Sequence, residues 1–111
     1  MFKRAVLNYS LGNCDDHAKN FSFLMNADGQ WQLSPGYDIV PSDSFNLGHM
    51  TAVLGEARCP TREHFLRLAS KFELTRAVSI RAMDEVAEAV SLYSEFARQY
   101  QVNPSPLIKE I

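Results

Sequence analysis

Between residues 21 and 33 the chain has few options other than to fold back on itself. Phe21-Ser22-Phe23-Leu24-Met25 is aromatic-rich and half alternating, Asn26-Ala27-Asp28-Gly29 carries hairpin turn chemistry, and Gln30-Trp31-Gln32-Leu33 alternates as a returning strand. Pro35-Gly36 breaks the second strand, and Tyr37-Asp38-Ile39-Val40 leaves it with an aspartate flanked by apolar residues. Helical periodicity lies on both sides of this unit. Phe2, Ala5, Val6 and Tyr9 fall at i, i+3, i+4 and i+7, and Leu11-Gly12-Asn13 ends that helix. Downstream, Thr61 is the expected N-cap of a helix with Phe65, Leu68, Ala69 and Phe72 on one stripe. A longer helical region places Met83, Val86, Val90, Tyr93, Ala97 and Tyr100 at 3-4-3-4-3 spacing, with Asn103-Pro104 as its stop. Ser105-Pro106 has the form of a new helix start. Residues 42 to 60 are punctuated by Ser42, Asp43, Ser44, Asn46, Gly48, Gly55 and Pro60, and fit either a functional loop or a short buried helix around Met50 to Leu54. The expected fold class is mainly α with one small β-hairpin.

Composition narrows the classes of function. With 46% hydrophobic and 22% charged residues in 111, the chain supports one small domain with a core. Thirteen acidic against eleven basic residues give a formal charge of -2, and no basic stripe accompanies it, so no direct nucleic acid binding is expected. No apolar run is long enough to span a bilayer, and the basic Met1-Phe2-Lys3-Arg4 is not followed by a signal-peptide core. Cys14 and Cys59 are too few for a disulfide scaffold. A cytoplasmic protein with reduced thiols and no membrane attachment is the expectation.

The polar stretch Asn13-Cys14-Asp15-Asp16-His17-Ala18-Lys19-Asn20 has no periodicity and reads as a loop placed directly before the hairpin. Within it Asp15 and Asn20 have the spacing D-x-x-x-x-N, which a kinase catalytic loop uses for its catalytic aspartate and its magnesium-binding asparagine. Asp38, beyond the hairpin, stands where a second metal-binding aspartate would. Phosphoryl transfer needs one carboxylate to accept the proton of the attacking hydroxyl, and hard oxygen ligands to hold Mg²⁺ against the nucleotide phosphates. A tight hairpin can return Asp38 to the loop that carries Asp15 and Asn20.

Leu11-Gly12-Asn13-Cys14-Asp15-Asp16-His17-Ala18-Lys19-Asn20-Phe21-Ser22-Phe23, followed by Leu33-Ser34-Pro35-Gly36-Tyr37-Asp38-Ile39, closely resembles the HipA-like serine/threonine kinases, the toxins of HipA/HipB-type toxin–antitoxin modules. The D-x-H-x-K-N loop, the hairpin and the L-(S/T)-P-x-Y-D segment of that family are all present, densely over residues 1 to 41 and loosely beyond. The resemblance implies a partial kinase C-lobe: residues 1–41 with catalytic loop, hairpin and metal-binding segment, 42–60 an irregular loop, and 61–111 helical. It implies that Asp15 is the catalytic base, that Asn20 and Asp38 are Mg²⁺ ligands, and that His17 and Lys19 lie near the ATP phosphates. It further implies a protein substrate, a translation component, and a helix-turn-helix antitoxin as partner. Kinase N-lobe features are missing from the sequence: Gly12, Gly29, Gly36, Gly48 and Gly55 are scattered, and no V-A-I-K-like strand supplies a phosphate-pairing lysine. The chain is therefore expected to begin partway through a C-lobe, and to bind Mg·ATP weakly or not at all when alone.

Plainer readings compete. Asp15, Asp16 and Asn20 could form a capping turn before a strand. His17 could be a structural hydrogen-bonding histidine, and Lys19 a solvated partner of Asp15 or Asp16. Cys14 as a nucleophile would need a base and a depressed pKa, and a zinc site from Cys14, His17 and an aspartate lacks its second ligand pair. His49 and His64 read as structural residues without identifiable partners. At the level of the whole chain, the alternatives to a kinase lobe are a non-enzymatic, partner-binding helical domain and a Mg²⁺-dependent nuclease using the same carboxylates.

Overall fold

The computed structural model describes residues 1–42, 48–103, 105–109 and 111, so Asp43, Ser44, Asn46 and Pro104 lie outside the described residues. The order of elements is α1 (Phe2–Ser10), a short 3-10 turn (Ala18–Asn20), β1 (Phe23–Met25), β2 (Trp31–Leu33), α2 (Arg62–Lys71), α3 (Arg76–Ser91) and α4 (Tyr93–Gln99). This is the mainly helical fold with one antiparallel hairpin that the periodicities predict.

α1 buries the expected face: Val6 is fully buried, and Phe2, Ala5 and Tyr9 pack against the core around it. Its end is a Schellman closure, in which Asn13 N–H donates to Asn8 O at 2.8 Å and Gly12 N–H donates to Tyr9 O at 3.0 Å. Gly12 takes φ +65, the left-handed conformation that this closure requires. In the hairpin, Phe23 pairs with Leu33 and Met25 with Trp31. Asn26 organises the turn, its Oδ1 accepting the N–H groups of Asp28 and Gln30 at 3.0 and 2.8 Å. Phe21 and Ser22 were expected within the first strand, yet regular pairing begins only at Phe23, after Ser34 N–H bonds Ser22 O. The hairpin's large apolar side chains, Phe23, Leu24, Met25 and Trp31, are exposed.

α2 begins at Thr61 with a reciprocal capping box in which His64 occupies the third helical position, so His64 has a capping role and Thr61 as its partner. Phe65 and Ala69 are buried as the stripe predicts, but Phe72 is 72% exposed because the helix has ended and Glu73 turns the chain at φ +60. α3 starts at Thr75, whose side chain accepts the Val78 N–H, and lies against both α1 and α2. Exposed ion pairs join α3 to its neighbours, Lys3 with Glu85 and Arg62 with Asp84. The core consists of Val6, Val53, Phe65, Leu66, Met83, Val86 and Val90. Burial of these side chains from several elements supplies the main stabilisation.

Two expectations need correction, and one of two open readings is decided. The long stripe from Met83 to Tyr100 is divided at Leu92, where the last turn of α3 tightens to a bond from Leu92 N–H to Ala89 O. Tyr100, beyond α4, is 70% exposed. No helix forms around Met50 to Leu54; instead Val53 and Glu56 form an antiparallel bridge about Leu54 and Gly55, both at positive φ. Ser105-Pro106 starts no helix either: Ser105 Oγ accepts the Leu107 N–H, and Lys109 N–H donates to Ser10 O at the open end of α1. Among the described residues no helix is long and apolar enough to cross a membrane.

Candidate functional site

Two segments meet beside the C-terminal end of α1: the loop Asn13 to Asn20, and the stretch Tyr37 to Ser42 that follows the hairpin. Asn13 is the hinge of this junction. It is 1% exposed, and its side-chain amide donates to Asn8 Oδ1 at 3.3 Å and to the Asp38 carbonyl at 3.2 Å. Tyr37 Oη donates to Lys19 O at 2.8 Å. Ser42 N–H donates to Gly12 O at 3.0 Å, and Ser42 Oγ accepts the N–H groups of Cys14 and Asp15 at 3.0 and 3.1 Å. Arg4, from α1, donates to Ser34 O at 2.6 Å and so holds the end of β2. The hairpin thus returns Tyr37 and Asp38 to the polar loop, joined through backbone and amide groups.

Each expected site residue has a distinct setting. The Asp15 side chain is 56% exposed and lies 3.7 Å from His17 Nε2. Asn20 is buried and its amide donates to Asp15 O at 2.7 Å, which leaves Oδ1 as an acceptor. Asp38 is exposed and stands at φ +54, a conformation uncommon for a non-glycine residue that aspartate tolerates better than most. Its carboxylate has no partner among the described residues. His17 is the N-cap of the 3-10 turn without a side-chain capping bond, and its Nδ1 is buried without a partner among the described residues. Lys19 is exposed, and its ammonium group forms no ion pair among the described residues.

These settings decide among the plainer readings. Among the described residues no side-chain bond caps the start of the 3-10 turn, while Asp16 Oδ1 accepts the Thr51 N–H and the Asn20 amide donates to Asp15 O. Lys19 does not pair with either aspartate: Asp15 faces His17, and Asp16 is bound by His49 and Thr51. Cys14 is a free, half-buried thiol. Among the described residues no group of three or more His, Cys, Asp or Glu side chains is placed to hold a metal ion. Of the expected metal ligands, Asn20 Oδ1 and the Asp38 carboxylate are oxygens with no partner among the described residues. Such a sparse oxygen set suits Mg²⁺, which usually completes its shell with phosphate and water.

Sequence reasoning missed Asn13 and Ser42 as organising residues, and missed partners for Asp16 and His49. Asn13 read only as part of a helix end, and the Asp16–His49 pair spans 33 positions, which no local pattern reports.

Comparison with known proteins adds one finding. A family model described as the HipA-like C-terminal domain matches residues 1–93. No curated protein and no solved structure matches the chain. Because the match covers the loop, the hairpin and the helical layer up to α4, the chain belongs to the HipA-like C-terminal domain family.

Proposed function

We propose that this chain is the catalytic-lobe portion of a HipA-like serine/threonine protein kinase, which transfers the γ-phosphoryl group of ATP to a protein hydroxyl. The observation that carries the reading is the stitching of the Asp15–Asn20 loop to the Tyr37–Asp38 segment through Asn13 and Tyr37. An exposed carboxylate on an ordered loop, tied to a segment whose aspartate carboxylate has no partner among the described residues, supplies the oxygen groups that in-line phosphoryl transfer needs. Asp15 would accept the proton of the attacking hydroxyl as its oxygen bonds to the γ-phosphorus and ADP leaves. Asn20 and Asp38 would hold Mg²⁺, which when bound neutralises charge on the transferring phosphoryl group. His17 and Lys19 would face the phosphates.

The lobe is incomplete as a nucleotide site. These 111 residues contain no glycine-rich phosphate loop and no phosphate-pairing lysine strand, elements that a working kinase of this kind would need in addition. On this reading the chain alone binds Mg·ATP weakly, and micromolar binding by calorimetry that Asp38→Ala abolishes would contradict it. In the complete protein, Asp38→Ala should raise the Mg²⁺ concentration needed for transfer, and an unchanged Mg²⁺ requirement would remove Asp38 from the metal site. By family the acceptor would be a translation component, the partner a helix-turn-helix antitoxin, and the compartment the cytoplasm.

A second reading, a non-enzymatic partner-binding domain, draws on the exposed apolar side chains of both hairpin strands, since two strands alone bury too little to be stable. It predicts that Asp15→Asn leaves every property of the protein unchanged.

A further inference from the structure

The Asp15 side chain is more than half exposed, yet the backbone around it is held by several bonds. Its N–H goes to Ser42 Oγ, its carbonyl accepts the Asn20 amide at 2.7 Å, and the next carbonyl, that of Asp16, accepts the Thr51 hydroxyl. The Asp16 carboxylate turns inward instead. Oδ2 lies 3.2 Å from His49 Nδ1 and Oδ1 accepts the Thr51 N–H at 3.0 Å, with both Asp16 and His49 side chains nearly fully buried. A carboxylate accepts but cannot donate, so His49 presents its Nδ1 proton to Asp16. The Cys14 carbonyl takes the Met50 N–H at 3.1 Å, so each of residues 49, 50 and 51 grips the loop.

The gripping segment is itself fixed. His49 N–H donates to Ala57 O at 2.7 Å, and Val53 inserts into the core beside Phe65. The His49 ring lies 5.3 Å from that of Tyr9, which in turn lies 5.8 Å from Phe65. Rotating Asp16 outward would leave His49 Nδ1 unpaired in a site where its Nε2 has no partner among the described residues.

We infer that Asp16 is a positioning residue for Asp15, and that residues 49–51 belong to the site as the clamp that holds it. This rests on the reading of Asp15 as the proton acceptor. Misplacing a reacting group by about 1 Å can cost about 100-fold in rate, so a clamp of this kind bears directly on catalysis.

The test has two arms that fail separately. In the 111-residue chain, amide hydrogen exchange is measured for Thr51→Val, which removes the hydroxyl at an exposed position, and for Thr51→Ser, which keeps it. Exchange at Asp15 to Asn20 should quicken about tenfold or more in Thr51→Val relative to α3, and return in Thr51→Ser. Loop exchange that changes no more than that of α3 overturns the clamp, whatever the protein's activity. In the complete protein with Mg·ATP, Thr51→Val should lower kcat about 10- to 100-fold with KM for ATP unchanged. A raised KM with unchanged kcat overturns the link to Asp15. Transfer that survives Asp15→Asn defeats the kinase reading instead, and the exchange arm still decides the clamp.

Discussion

Gly12 joins α1 to the site loop, and its replacement gives a quantitative test of how that junction is built. At φ +65 an alanine would incur about 1–2 kcal/mol of left-handed strain. Its Cβ would also lie 2.5 Å from Leu107 Cβ and 2.6 Å from Leu107 O, closer than real contacts allow. Leu107 is backbone as well as side chain here, and moving it pulls on the bond from Lys109 N–H to Ser10 O at 2.8 Å. Overpacking of this kind costs a further ~1–3 kcal/mol. Gly29 is the control: it has φ +77 but nothing within 4 Å of an added Cβ, so Gly29→Ala carries the strain alone. The two variants should differ by about 1–3 kcal/mol, which at a urea m-value of about 1.5 kcal/mol/M separates their midpoints by about 0.7–2 M. Urea unfolding followed by far-UV circular dichroism reads this directly. Deleting residues 105–111 should reduce the penalty of Gly12→Ala to that of Gly29→Ala. Equal midpoints for the two alanine variants in the intact chain would refute the reasoning, because the C-terminal segment would then yield without resistance.

Other expectations follow from the same geometry. Phe65 is fully buried between Phe2 and Tyr9, so Phe65→Ala should cost about 3–5 kcal/mol in urea unfolding. Asp38→Gly should relieve backbone strain and leave the protein as stable as wild type or more so, while raising the Mg²⁺ concentration needed for phosphoryl transfer; loss of stability would show that the aspartate is structural. The Cys59 and Arg58 backbone N–H groups on Glu56 hold its carboxyl below the usual range, so its contribution is present above the unfolded value and fades as pH falls through the lower folded one. Glu56→Gln should therefore make the acid limb of a stability–pH curve shallower. Burial, aided by the charges of Cys59 and Glu56, raises the Tyr9 hydroxyl above its ordinary value. Its contribution is therefore intact below pH about 10 and declines as pH rises toward the folded value, a loss that Tyr9→Phe should remove.

What could be read from the sequence was local. The hairpin, the end of α1 at Gly12 and the start of α2 at Thr61 rest on residues a few positions apart, and each forms where the turn or capping chemistry stands. Asp15, Asn20 and Asp38 were legible as candidates through spacing and family pattern, and the structure sets their segments side by side. The turn at Leu54-Gly55 was not legible, because leucine is not a residue that turn chemistry selects for positive φ. Phe72 and Tyr100 fit their stripes by count but fall past the ends of their helices, where periodicity no longer predicts facing. The clamp of Asp16 by His49 and Thr51 joins residues 33 and 35 positions apart, so only the folded chain brings it into view.

The most direct measurement of the central claim is transfer of labelled γ-phosphoryl from Mg·ATP to serine or threonine, using the protein purified from its own cells. Wild type and Asp15→Asn are compared at equal folded concentration. The account predicts transfer by the wild type and a loss of about 100-fold or more in Asp15→Asn, the range expected when a positioned base is removed. Equal transfer by the two proteins would contradict it.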